Sequence, residues 1–98
     1  MTITKTQNGS ELTVVVAGRL DTMTAPELEK ELNESLKGVT ALTFDLIKLD
    51  YVSSAGLRVL LSAQKKMNKQ GEMKLIHVNE TIMEIFEVTG FSDILTIE

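Results

Sequence analysis

The sequence predicts one α/β domain over residues 1–98, built on a mixed, mostly parallel β-sheet of about five strands flanked by helices. Three observations predict it. Short β-branched or alternating apolar runs recur along the chain, amphipathic segments of helical period separate most of them, and no repeat, low-complexity tract or linker interrupts the series. Strands separated by helices need crossover connections, which favour a parallel sheet with right-handed links. The expected order is β-β-α-β-α-β-α-β.

Each element has its own local reason. Leu12 to Ala17 is β-branched and bounded by Gly9 and Gly18, so it reads as a buried strand. Ile3 to Thr6 is expected to pair with it across Gln7-Asn8-Gly9-Ser10, where Asn-Gly favours a hairpin. Thr24-Ala25-Pro26-Glu27 reads as a helix start: threonine and glutamate can form a capping box, and proline gives up a donor that would be orphaned there anyway. Leu28, Leu32 and Leu36 then follow at helical spacing until Gly38.

Ala41 to Leu46 alternates, with Leu42, Phe44 and Leu46 on one face of a strand. A helix from about Ser54 or Ala55 to Gln70 carries Leu57, Leu60, Leu61 and Met67 as its apolar stripe. Lys65, Lys66 and Lys69 lie near its C-terminus, where cations complement the dipole, and Gly71 ends it. Met73 to Val78 is a further strand, Asn79 caps a helix with Ile82, Ile85 and Phe86 that stops at Gly90, and Ile94 to Ile97 is a short last strand.

Composition removes several classes of function. Ten basic against fourteen acidic side chains leave a net charge of −4, which opposes attraction to nucleic acid or to anionic lipid. Without cysteine, neither disulfides nor thiolate metal sites hold the fold, and the single histidine, His77, leaves no set of structural zinc ligands. No stretch approaches the roughly 20 apolar residues of a membrane helix and no signal sequence is present, so the expected location is the cytoplasm. No metal or cofactor is called for.

The segment Leu49-Asp50-Tyr51-Val52-Ser53-Ser54-Ala55-Gly56-Leu57-Arg58 passes from extended to helical through two serines. A serine there ordinarily caps the helix, contributing about 1 kcal/mol. The same place also suits an anion, because the first-turn N–H groups are free and the dipole is positive. Phosphorylation would add roughly −1.5 to −2 charges at the helix start without disturbing the fold. A partner docking over it would have to desolvate that charge, and a penalty of about 4 kcal/mol weakens binding roughly a thousandfold.

Gly18-Arg19-Leu20-Asp21, the strand ending Phe44-Asp45-Leu46, the run from Leu49 to Leu61, Gly71 before a strand, and Phe86-Glu87-Val88-Thr89-Gly90-Phe91 together resemble the STAS domain of bacterial anti-sigma factor antagonists. The resemblance spans nearly the whole chain. It implies a protein that binds an anti-sigma factor, itself a serine kinase, and so frees a sigma factor. It further implies that the kinase phosphorylates the serine two residues before Gly-Leu, which is Ser54, and that an opposing serine phosphatase restores binding. Family members carry aspartate immediately before that serine; here Ser53 stands there, leaving the site less acidic and making Ser53 the second choice of acceptor.

The docking surface expected from this likeness comprises Asp21, Thr22, Ser53, Ser54, Ala55, Gly56, Leu57 and Arg58. Asp21 either adds charge near the serine or bonds loop N–H groups, and Arg58 either contacts a partner, holds a phosphate or is simply solvated. His77 is expected as a satisfied residue within a strand. Met23, Met67, Met73 and Met83 are expected to fill the core, although any left exposed near the second helix would suit an adaptable docking surface. Two other readings are open: a constitutive STAS scaffold subunit of a transport or signalling complex, in which the serines only cap, and a small serine hydrolase. The latter lacks Gly-x-Ser-x-Gly and an evident base, and no phosphate-binding P-loop occurs, so no enzyme activity is expected.

Overall fold

A computed structural model describes residues 1–98. The chain forms β1 (Thr2–Asn8), β2 (Glu11–Leu20), α1 (Ala25–Ser35), β3 (Ala41–Asp45), β4 (Leu49–Val52), α2 (Ser54–Gln70), β5 (Glu72–Ile76) and α3 (Glu80–Thr89), followed by a 3-10 turn at Phe91–Asp93. The five strands make one mixed sheet in the order β1-β2-β3-β5, with β4 paired to β2 off that path. Only β1 and β2 are antiparallel; β3 and β4 run parallel to β2, and β5 parallel to β3. The α/β class is as expected, but the fifth strand is not.

That strand is Leu49–Val52, which is not among the five strands expected from the sequence. β2 makes room for it by running past Gly18 to Leu20: residues 11–15 pair with β3 and residues 18–20 with β4. Gly18 lies at φ +92° beside a register shift between Gly18 and Arg19, so the glycine expected to end the strand instead bulges it toward a new partner. Ile94 to Ile97, expected as the last strand, forms only an isolated bridge between Leu75 and Ile97. The chain leaves α3 through left-handed Gly90 and the 3-10 turn, buries Leu95, and meets β5 at that single bridge.

Smaller departures have local causes. The register pairs Asn8 with Glu11, so the hairpin turns on Gly9-Ser10 rather than Asn8-Gly9, with Gly9 at φ +64° taking the position that needs glycine. The Thr24–Glu27 capping box does not form: Thr24 is helical (φ −103°, ψ −21°), and its hydroxyl turns back into the preceding loop. His77 lies beyond the end of β5, at φ +57°, and its exposed ring bonds Asp45 at 2.9 Å through Nδ1. It is not a strand residue among apolar neighbours.

The core lies between the helices and one face of the sheet. Leu12, Val14 and Val16 of β2, Leu42 and Phe44 of β3, and Met73 and Leu75 of β5 alternate onto that face and are buried. Leu28, Leu32 and Leu36 from the first helical segment, Leu57, Leu60, Ala63 and Met67 from α2, and Ile82 and Phe86 from α3 join the same cluster. Each large apolar side chain fully removed from water contributes about 1.5–3 kcal/mol, so this cluster is what fixes the sheet against the helices. Thr4, Thr6, Thr13, Thr43 and Lys74 point to the other face, which is exposed or half-buried. Asn79 ties α3 down twice, its Oδ1 accepting from the Ile82 amide and its amide donating to the Leu49 carbonyl, both at 2.9 Å.

Candidate functional site at the β4–α2 junction

β2 and β4 run parallel and end together, with Leu20 opposite Val52. The Ser53 amide donates to the Leu20 carbonyl at 2.9 Å, so the loop carrying Asp21 and the two serines leave the sheet side by side. Carboxyl ends of parallel strands are where an open α/β sheet collects its functional groups. Two segments distant in sequence thereby form one surface.

The two serines divide the work. Ser53 is the N-cap: it is extended, and its hydroxyl accepts a long 3.4 Å hydrogen bond from the Gly56 amide. Ser54 is the first helical residue, exposed, and its hydroxyl makes no hydrogen bond within the protein. The first intrahelical bond of α2 runs from the Leu57 amide to the Ser53 carbonyl; ahead of it the Gly56 amide is taken by the Ser53 hydroxyl, and the Ser54 and Ala55 amides have no intrahelical acceptor. Aspartate and serine cap helices about equally well, which accounts physically for Ser53 at a position where aspartate is expected.

Gly56 lets this helix start approach the sheet. A Cβ built on it would lie 2.7 Å from the Leu20 side chain, 2.8 Å from Val52 and 2.9 Å from the Leu20 carbonyl. Any larger residue would push α2 off the ends of β2 and β4. Gly56 and Leu57, expected among the docking residues, are both buried and lie beneath the surface formed by the others.

Asp21 closes its own loop. Its Oδ1 accepts from the amides of Met23 at 3.0 Å and Thr24 at 3.2 Å, while the Thr24 hydroxyl donates to the Arg19 carbonyl at 2.8 Å and accepts from the Asp21 amide at 2.9 Å. Partial burial pushes the Asp21 carboxyl up, but bonds from the Thr24 and Met23 amides and the Thr24 hydroxyl, with the Arg19 charge, outweigh it and hold its pKa below the usual value. Arg19 reaches Asp21 Oδ2 at 3.6 Å and lies over the Tyr51 ring, 4.4 Å from its centroid. Of the two readings open for Asp21, the loop-bonding one describes its contacts.

Thr22, Ala55 and Arg58 line one groove of about 340 Å³ between the starts of α1 and α2, together with Pro26, Glu29 and Ser62. Arg58 is exposed and stands four residues after Ser54, hence on the same face of the helix. The α1 side of the groove was missed in the sequence, because nothing in a helix start says which helix will pack beside it. Met67 and Met73 are buried and Met83 half-buried, but Met23 is 87% exposed, which corrects its reading as core.

His77 is remote from the serines. It bonds Asp45, which pairs with Val15, whereas Ser53 bonds Leu20, five positions further along β2. At about 3.3 Å per strand residue, Val15 and Leu20 are separated by roughly 16 Å along an unbulged strand, and the only side-chain partner of the His77 ring is Asp45. No three His, Asp or Glu side chains converge as metal ligands, and no helix is long and apolar enough to cross a membrane.

Comparison with known proteins agrees with the geometry. The model of the STAS domain matches residues 2–98. The chain belongs to the STAS domain family. An anti-sigma-B factor antagonist of Bacillus subtilis is 33% identical over 92 residues, covering 93% of this chain and 84% of that protein. The protein of the same name from Listeria monocytogenes is 32% identical over 96 residues, covering 96% and 84%. Among solved structures, an anti-sigma factor antagonist from Mycobacterium paratuberculosis matches this STAS domain with a TM-score of 0.88 at 23% identity, covering 98% of this chain and 83% of that one. SpoIIAA in its phosphorylated form matches with a TM-score of 0.77 at 14% identity, covering 99% and 91%. At these identities the structural likenesses establish the fold.

Proposed function

We propose that this protein is an anti-sigma factor antagonist that works by reversible protein–protein binding and is switched by phosphorylation of Ser54. In this reading the face formed by Asp21, Thr22, Ser53, Ser54, Ala55 and Arg58 docks on an anti-sigma factor that is also a serine kinase, releasing the sigma factor. Phosphorylation of Ser54 ends the interaction, and an opposing serine phosphatase restores it. Curated relatives that cover most of the chain bear the name anti-sigma-B factor antagonist, which supports the partner class.

The observation that favours Ser54 over Ser53 is the division of labour between them. Ser53 is committed to the helix cap, whereas the Ser54 hydroxyl is exposed and unbonded. A phosphate on Ser54 would meet the open amides and positive end of α2, with Arg58 one turn away to pair with it. The reading is supported by SpoIIAA, whose unphosphorylated and phosphorylated forms match this fold about equally well, with TM-scores of 0.78 and 0.77. The phosphate would change the charge of the face and leave the packing beneath it in place.

The test is incubation with the cognate anti-sigma kinase and ATP, followed by mass spectrometry of the peptides. One phosphate on Ser54 is expected, absent from Ser54→Ala, which should still bind the kinase; Ser54→Asp should fold but bind far more weakly. A phosphate found only elsewhere would reject the assignment.

A further inference from the structure

We infer that Met23 is the apolar anchor of the docking face, the side chain that the anti-sigma partner encloses in an apolar socket. The inference rests on the docking role proposed above and adds a residue to it. Four large hydrophobic side chains are exposed, and Met23, at 87%, is more exposed than Ile47, Val88 or Ile94. It is also the one beside the serines: its loop begins at Leu20, whose carbonyl accepts the Ser53 amide.

Its backbone is pinned. The Met23 amide donates to Asp21 Oδ1, the Thr24 amide to both Asp21 Oδ1 and the Asp21 carbonyl, and the Ala25 amide to the Asp21 carbonyl at 2.8 Å. Asp21 and Thr24 supply the side-chain hydrogen bonds of this turn, and the Met23 side chain contributes none. A side chain held outward on a rigid turn surrenders little backbone freedom when a partner buries it, which is the condition for an interface hot spot. Methionine suits the place because its unbranched, polarisable chain adapts to the shape of the socket. Thr22, next to it in the chain, lines the groove between α1 and α2 together with Arg58, so the anchor stands at the border of a polar surface.

The experiment measures binding of the cognate anti-sigma kinase to the whole chain and to Met23→Ala, Met23→Leu and Met23→Glu, by calorimetry. Met23→Ala should weaken binding at least tenfold, Met23→Leu less than threefold, and Met23→Glu by a hundredfold or more, all with unchanged thermal midpoints because the side chain packs on nothing. In protein carrying 13C-methyl methionine, the Met23 resonance should move on adding the kinase, while those of buried Met67 and Met73 stay put. Wild-type affinity in Met23→Ala, or an unmoved Met23 resonance in the complex, would overturn the inference and leave the Ser54 switch standing. If the kinase binds no version of the chain, the docking role falls and the anchor with it.

Discussion

Leu20 and Ser53 meet through one backbone hydrogen bond, 2.9 Å from the Ser53 amide to the Leu20 carbonyl, at the paired ends of two parallel strands. It brings the Asp21 turn next to the start of α2, and it leaves Gly56 no room for a side chain.

The serines should separate by stability before any partner is added. Ser53→Ala removes the cap of α2 and should cost about 1 kcal/mol, within the 0.5–2 kcal/mol range of such losses, whereas Ser53→Asp should restore it. Ser54→Ala deletes an exposed, unbonded hydroxyl and should stay within about 0.5 kcal/mol of wild type. Urea unfolding followed by circular dichroism measures all three; equal losses for the two alanine variants would contradict the assigned cap.

Gly56→Ala is expected to destabilise although alanine is the better helix former by roughly 1 kcal/mol. The added methyl meets the Leu20 side chain, Val52 and the Leu20 carbonyl at 2.7–2.9 Å, and overpacking of this kind costs about 1–3 kcal/mol. The same denaturation experiment checks it. A stabilised Gly56→Ala would mean that the helix start has slack the structure does not show.

Asp21 sets a pH dependence whose sign follows from its contacts. Its folded carboxyl titrates below the usual value, so the charged form is favoured by folding. Its contribution is therefore complete above the unfolded value of about 3.9 and disappears as pH falls through the lower, folded one. Asp21→Asn should narrow its stability gap from wild type between about pH 5 and pH 2, as thermal midpoints across that range would register. A gap constant over the range would mean that the loop amides do not depend on the carboxylate charge.

Much of the architecture was written in short-range patterns. The alternation of Leu42 and Phe44, the spacing of Leu28, Leu32 and Leu36, the cap at Asn79 and the stop at Gly90 each follow from chemistry within a few residues, and all appear where they were expected. The misplaced elements depended on distant partners. Leu49–Val52 is a strand because β2 extends far enough to pair with it, and Ile94 to Ile97 is not a strand because only Ile97 reaches Leu75.

At the candidate site, the chain alone placed two hydroxyls at a strand-to-helix junction, since Val52, the serines and the helical run after them are neighbours in sequence. Which serine caps and which is free, that Met23 is exposed, that Gly56 and Leu57 lie underneath, and that His77 bonds Asp45 and neither serine were decided by tertiary packing. Local propensity governs what a segment becomes; burial and reach depend on which strand ends and helices are brought against it, and no window of sequence contains that information.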